Sequence, residues 1–363
     1  MRFTERQARL RERMAAGKVE ALVVSHLANA RYLTGFTGSN ALLLMLPERT
    51  LLFTDGRYRQ QAAAEVQAAQ VVIPPKGDLW RAAAIRLAPR GRRTRARVGL
   101  EAERVTLAQR QRLVAHAPSL EPRLQPVAGW VEALRAVKDA DEIAALRRAI
   151  ALAESVFPAT LRRIRPGARE TAVAGYLEYA LRRRGGNGLA FDTILVGGAR
   201  AALVHGHASA APLPAQGPVV LDYGVNLDGY MSDMTRTVHL GAAGRRARAI
   251  YAAVAAAQQA ALAVVRPGAL AAAVDRAARR VIGRAGYGQY FSHSTGHGVG
   301  LEIHEAPRLA ATSSDRLEAG QVVTIEPGIY LPGWGGVRIE DMVLVTAQGA
   351  ELLTSTPRNL IIL

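Results

Sequence analysis

Residues Pro218 to Thr237 read Pro-Val-Val-Leu-Asp-Tyr-Gly-Val-Asn-Leu-Asp-Gly-Tyr-Met-Ser-Asp-Met-Thr-Arg-Thr. Val219-Val220-Leu221 is a buried-strand run, Asn226-Leu227-Asp228-Gly229 has turn chemistry, and Tyr230 begins a second extended arm, so the stretch predicts a β-hairpin. Each arm carries one carboxylate, Asp222 and Asp233. Opposed side chains of a hairpin stand roughly 5 Å apart, close enough for two carboxylates to share cations. An aspartate set among Val, Leu and Tyr is costly to bury as a bare ion, so Asp222 must be protonated, paired or bound to a metal. A plainer reading puts Asp222 in a turn and Asp233 on the surface, and this stretch alone leaves both open.

Three later segments add donors. Phe291-Ser-His293-Ser-Thr-Gly-His297-Gly-Val-Gly-Leu-Glu-Ile-His304 is rich in glycine. His293 and His297 have the i, i+4 spacing of a zinc-protease helix, but Gly296, Gly298 and Gly300 oppose a helix. An extended segment also puts residues four apart on one face, and the glycines would let backbone approach a bound group closely. Val322-Val-Thr-Ile-Glu326-Pro is an apolar strand ending in a glutamate held extended by the proline. In Gly336 to Val345, read as one strand, Arg338 and Glu340 share a face opposite Val337, Ile339 and Val343. Upstream, His205 follows the apolar run Ala201 to Val204 and is expected at a strand end facing a cavity. Four carboxylates and an imidazole suit a pair of divalent ions. Such ligation favours manganese, cobalt or zinc over copper.

The 363 residues fit two domains with ample apolar content for both cores. There is no cysteine, which excludes disulfides, thiolate metal sites and cysteine nucleophiles. No apolar run is long enough to cross a membrane. The N-terminus reads as a polar amphipathic helix, so a soluble, cytoplasmic protein with no membrane partner is expected. The net charge of +17 raises nucleic acid as a partner. Of the basic residues, however, only Lys18, Lys76 and Lys138 are lysine, and the arginines are spread along the whole chain. The one dense cluster, Arg90, Arg92, Arg93, Arg95 and Arg97, lacks interleaved aromatics, so no nucleic-acid partner is expected.

In chain order, a helix over 4–16 precedes strands at Ala21–Val24, Ala41–Leu46 and Leu51–Thr54. Asn29 to Gly38 reads as a polar loop, and helices are expected from Asp55 to about Ala69, from Asp78 and from Thr106. This alternation predicts an α/β domain over 1–125. The prolines at 118, 122 and 126 mark a boundary, with a linker over 126–138 and a second domain over 139–363. Asp139 with Glu142 is a capping-box pattern opening a long helix that Pro158 should kink. Arg165-Pro-Gly and Arg266-Pro-Gly, 101 positions apart, each join a long helix to a second helix with a glycine stop. That self-similarity predicts an internal duplication with a pseudo-twofold axis and a site at the junction of the halves.

Asp222-Tyr-Gly, Ser232-Asp233-Met-Thr-Arg-Thr, Ser294-Thr-Gly-His297-Gly-Val-Gly, Ile325-Glu326-Pro-Gly and Arg338-Ile-Glu340-Asp together resemble the pita-bread metallopeptidases. That family includes methionine aminopeptidase, Xaa-Pro aminopeptidase and prolidase. Asn29-Ala-Arg-Tyr-Leu-Thr-Gly-Phe-Thr-Gly and Thr54-Asp-Gly-Arg-Tyr resemble the N-terminal domain of its prolidase, Xaa-Pro aminopeptidase and creatinase members. The resemblance implies an α/β creatinase-type N-terminal domain followed by an α+β pita-bread catalytic domain. It further implies that Asp222, Asp233, His297, Glu326 and Glu340 hold two divalent ions, with manganese first and cobalt or zinc as alternatives. The ions would activate a bridging water for attack on an Xaa-Pro bond. Glu326, His205 and His304 would be catalytic, with His205, His293, His304 and Arg338 contacting substrate. The size of the chain favours an Xaa-Pro dipeptidase over an Xaa-Pro aminopeptidase. A non-catalytic binding protein of the same fold is the third reading, and a homodimer is expected.

Overall fold

Continuous apolar runs in the first third of the chain become strands covered on both faces, as in a mixed α/β sheet. In this computed structural model, which describes residues 2–88 and 96–363, the chain separates into two compact units, Met1–Arg135 and Ala136–Leu363. Of the basic cluster, Arg90, Arg92, Arg93 and Arg95 lie outside the described residues.

The first unit is a six-stranded sheet in the order Gln70–Val72, Thr50–Phe53, Leu42–Met45, Ala21–Val24, Val98–Glu101, Leu124–Val127. Asp78 caps the helix Leu79–Leu87, and Thr106 forms a capping box with Gln109. Three expectations change. Within the supposed polar loop 29–38, residues Leu27–Thr34 form a helix ended by Gly35 in the left-handed region, φ +84°. Its polar Asn29 is buried and donates to Glu101 Oε1 at 2.7 Å and Glu132 Oε1 at 2.8 Å, a tertiary role that local composition does not display. Residues 126–138, expected as a linker, carry the end of strand Leu124–Val127 and the helix Trp130–Ala136. Pro126 is tolerated because that strand lies at the sheet edge, where a missing N–H costs no ladder bond. The helix expected to reach Ala69 also stops at Glu65.

In the second unit, the Asp139/Glu142 capping box forms and starts the helix Ala140–Leu161, with Pro158 inside its last turn. Helices Ala140–Leu161 and Glu170–Arg183 share a core with the strands Ile194–Gly197, Gly217–Tyr223 and Met234–Leu240. Helices Arg245–Leu262 and Ala271–Arg284 share another with the strands Val322–Ile325 and Asp341–Thr346. The Arg-Pro-Gly turns are built alike. Gly167 and Gly268 have φ +77° and +80°. The Gly167 N–H donates to Leu213 O at 2.9 Å and the Leu213 N–H returns to Ala168 O at 2.8 Å; Gly268, Leu317 and Ala269 repeat the pattern, at 2.8 Å for both bonds. The repeat is therefore one of hydrogen bonding as well as of sequence.

The hairpin pairs Gly217–Tyr223 with Met234–Leu240, Asp222 opposite Thr235 and Tyr223 opposite Met234. Between them the chain leaves for a small three-stranded sheet, turning at Asp228 and Gly229, both at positive φ, as a type I′ turn requires. Gly296–Gly298 is a strand held on both sides, by Glu305–Leu309 and Val322–Ile325. Its glycines admit neighbouring strands rather than a ligand: a Cβ on Gly296 would stand 1.9 Å from Thr324 O, and one on Gly298 2.2 Å from Ala306 O. Gly296→Ala should therefore force strands apart and destabilise the fold by about 3 kcal/mol or more, read as a lowered denaturant midpoint. An unchanged midpoint would contradict the packing. Among the described residues no helix is long and apolar enough to cross a membrane.

Candidate metal centre

The five donors come from both halves of the second unit. Asp222 lies near the end of one hairpin strand, and Asp233 just before the other. His297 is the middle residue of the glycine-bounded strand. Glu326 and Glu340 stand where the chain leaves the five-stranded sheet for the two-stranded ribbon Gly328–Leu331/Gly335–Arg338 and where it returns. The segment read as one strand from Gly336 to Val345 is thus two, broken at Ile339 and Glu340, which frees Glu340 from the alternation of a single sheet. Backbone bonds fix both glutamates: the Glu340 N–H donates to Thr235 O at 3.1 Å, which ties the two halves, and the Glu326 N–H donates to Thr295 O at 2.8 Å within the second half.

His297 Nδ1 lies 3.0 Å from Gly298 O, so that nitrogen carries the hydrogen and Nε2 keeps its lone pair. Nε2 faces Asp233 Oδ2 at 3.5 Å and Glu326 Oε1 at 3.6 Å. These distances are too long for good hydrogen bonds. They fit donors arranged about an ion, since ligands about 2.1 Å from a metal stand roughly 3.0–3.4 Å apart in octahedral or tetrahedral geometry. One donor atom each of Asp233, His297 and Glu340 lies within 4.8 Å of the others. Asp222 accepts from Arg338 Nη2 at its Oδ2, 2.6 Å away, while its Oδ1 is buried with no hydrogen-bond partner among the described residues. An acceptor left so costs about 1–3 kcal/mol, which a cation beside it would relieve.

The electrostatics agree. Burial, then Glu340, Asp222 and Glu326, push the Asp233 carboxyl well above its usual range. Burial and the neighbouring carboxylates do the same to Glu340. Glu326 is pushed up to about 8, chiefly by burial. Burial lowers His297 to about 4 and His293 to about 3, keeping both imidazoles neutral at pH 7. Neutral imidazole with crowded, protonated carboxyls is the state a divalent ion would convert to a full ligand set, releasing protons. The donor set therefore fits divalent metal.

All five residues line one cavity of about 640 Å³, within the range of small-ligand pockets. His205, His293, His304 and Arg338 line it as well. His304 stands edge-on to His297, ring centroids 4.4 Å apart. His205 does not end a strand: Gly198–Ala202 is a 3-10 turn followed by loop, which leaves the imidazole exposed at the cavity wall. Arg338 is committed, with Nε to Thr235 Oγ1 at 3.0 Å, Nη1 to Tyr330 Oη at 2.8 Å and Val204 O at 3.2 Å, and Nη2 to Asp222. It orients a carboxylate and has little left for a substrate.

Residues not singled out by the sequence complete the site. Thr235 Oγ1 donates to Glu340 Oε2 at 2.8 Å while accepting from Arg338; two positions after Asp233, it shares that residue's side of an extended chain. Tyr330 Oη joins Arg338 to His293 Nε2 at 2.8 Å and carried no sequence signal. Asp192, His207 and Arg308 also line the cavity. Arg316 does not; it donates to Gly268 O at 2.7 Å.

Comparison with known proteins shows the family. Residues 144–347 match metallopeptidase family M24, and residues 6–137 match the Creatinase/Prolidase N-terminal domain. An uncharacterized peptidase of Bacillus subtilis, YqhT, is 39% identical over 345 residues, 95% of this chain and 96% of its own. The solved Xaa-Pro dipeptidase from Bacillus anthracis superposes with TM-score 0.92 at 36% identity, covering 99% of this chain and 100% of that one. The X-Pro aminopeptidase from Thermotoga maritima does so with TM-score 0.88 at 34% identity, covering 97% and 99%. With a pita-bread unit whose converging carboxylates and imidazole suit divalent ions, and with matches spanning both units, the chain belongs to metallopeptidase family M24 and carries that family's creatinase-type N-terminal domain.

Proposed function

We propose that this chain is an Xaa-Pro dipeptidase using two divalent ions, manganese first, held by Asp222, Asp233, His297, Glu326 and Glu340. The reading is supported by the neighbouring Xaa-Pro dipeptidase structure and by one observation in the cavity. The side chain of Arg308, exposed and lining that cavity, has neither a hydrogen bond nor an ion pair among the described residues. A dipeptidase needs such a cation for the carboxylate of the proline residue, and Arg338 is already committed to Asp222. A homodimer is proposed with it.

Bound ions supply Lewis-acid activation of water and of the scissile carbonyl. Glu326 accepts the proton of the attacking water and passes it to the proline nitrogen, which has no N–H of its own and must be protonated to leave. His205 and His304 stabilise the oxygen of the tetrahedral intermediate. His293, held by Tyr330, and Arg338, held on Asp222, keep the donors in place.

The second reading, an Xaa-Pro aminopeptidase, is favoured by the likeness to the Thermotoga maritima enzyme. Proline release from Gly-Pro and cleavage of Gly-Pro-Xaa, each with manganese and with chelator, separates the two. Cleavage of Gly-Pro alone supports the dipeptidase, cleavage of both the aminopeptidase, and cleavage of neither under any metal a binding protein. Arg308→Ala is expected to raise KM for Gly-Pro about 10- to 100-fold, the loss of one charge-assisted hydrogen bond, with little change in kcat. An unchanged KM removes Arg308 from carboxylate capture.

A further inference from the structure

Behind the two glutamates lies a polar cluster that none of the proposed chemistry uses. Gln258, on the helix Arg245–Leu262, is 1% exposed. Its Nε2 donates to Asp341 Oδ2 at 2.8 Å and lies 3.4 Å from both Ile325 O and Ile339 O. Those carbonyls belong to the residues immediately before Glu326 and before Glu340. One amide thus sits between the two strand ends from which these carboxylates project. The bond to Asp341 anchors it, and the two longer contacts are shared.

Asp341 is itself fixed. Arg236, also buried, donates Nη2 to Asp341 Oδ1 at 2.6 Å and Nη1 to the carbonyl of Glu340. Its remaining donors go to the backbone at Thr235, Thr356 and Pro357, so the guanidinium cannot swing away. The peptide of Glu340 is therefore held by Arg236 at its carbonyl, by Thr235 at its N–H and by Gln258 one residue earlier. Packing alone would place an apolar side chain here, because the surrounding positions Val254, Ala257 and Ala261 are apolar and the helix core needs no polar group. An amide buried at this position is kept for its donors.

We infer that Gln258, anchored on Asp341 and Arg236, is a positioning residue that sets the separation of Glu326 and Glu340 and thereby the affinity of the site for divalent ions. The inference rests on the ligand assignment above but not on the identity of the peptide substrate. Outer-shell partners of this kind are worth about 10- to 100-fold in metal affinity.

The test uses Gln258→Met, which keeps the length and bulk of the side chain and removes its donors. Metal-free protein is titrated calorimetrically with Mn²⁺, alongside its melting temperature and the KM and kcat for Gly-Pro. The expected result is a dissociation constant raised about 10- to 100-fold, a lower kcat at limiting metal that excess Mn²⁺ restores, and an unchanged KM. A lower melting temperature with wild-type Mn²⁺ affinity would show a packing role only and overturn the inference. If the methionine variant does not fold, Gln258→Asn, an amide too short to reach both strand ends, is titrated instead, and wild-type affinity there overturns it equally. Mn²⁺ binding by a wild-type protein that cleaves no prolyl peptide would sink the proposed activity while leaving this inference standing.

Discussion

Alanine in place of Asp233 or of Glu340 is expected to abolish hydrolysis of Gly-Pro, with a loss of roughly 10³-fold or more, and to lower bound metal. The magnitude follows from the several kcal/mol that a correctly held cation contributes to a transition state, at 1.36 kcal/mol per tenfold in rate. The folded state should not suffer in step. Both carboxyls are forced up by burial and by neighbouring carboxylates, Glu340, Asp222 and Glu326 acting on Asp233 and Glu326 and Asp222 on Glu340, so removing either takes a carboxyl that is costly to ionise out of the metal-free protein. Each variant should therefore melt, without metal, at or above the temperature of the metal-free wild type, yet gain less on adding Mn²⁺. Elemental analysis and paired melting curves check this. Full activity with full metal content in either variant would remove that residue from the site.

The second large effect is a coupling between protons and metal. Glu326 titrates near 8 in the folded protein, against an ordinary value of 4.5, because burial disfavours its charged form. A carboxyl raised in this way binds more protons folded than unfolded. Its contribution to stability is complete below 4.5 and is lost as pH rises through 8. His297 and His293 act in the opposite sense: their folded values, about 4 and 3, lie below the ordinary 6.5, so their contribution is present above 6.5 and lost as pH falls. Between pH 6.5 and 8 only the carboxyl effect remains. The metal-free protein should thus become less stable over that window, by roughly 2 kcal/mol from Glu326 alone. Mn²⁺ affinity should rise over the same window, because each ion must displace protons from the crowded carboxyls. Calorimetry of Mn²⁺ binding in two buffers of different ionisation enthalpy measures the protons released. Zero release at pH 7 would contradict the protonated state of the metal-free centre.

Much of the molecule could be read from local chemistry. The Asp139/Glu142 capping box, the hairpin with its Asp-Gly turn and the paired Arg-Pro-Gly joints are short-range features, and the structure forms each of them. The donor residues were legible because a carboxylate closing an apolar strand is out of place as solvated surface, and several together narrow the chemistry to metal. Asn29 misled because its partners, Glu101 and Glu132, lie 72 and 103 positions away. Glycines 296, 298 and 300 read in the sequence as room for a bound group, whereas 296 and 298 admit adjacent strands. Tyr330 and Gln258 gave no signal, since an isolated Tyr or Gln becomes informative only once its neighbours are known.

By itself, then, the sequence determined which side chains are available for the chemistry and the class of ion they suit, because donor type and strand placement are properties of each short segment. Tertiary structure alone decided how those donors are shared. The folding of two similar halves commits Arg338 to Asp222 across 116 positions, leaves the Arg308 side chain without a hydrogen bond or ion pair among the described residues, and sets one buried amide between the strand ends that carry both glutamates. The physical reason is that a charged group's role follows from which opposite charges and donors it is left beside after burial, and that is a property of the packed chain rather than of any segment of it.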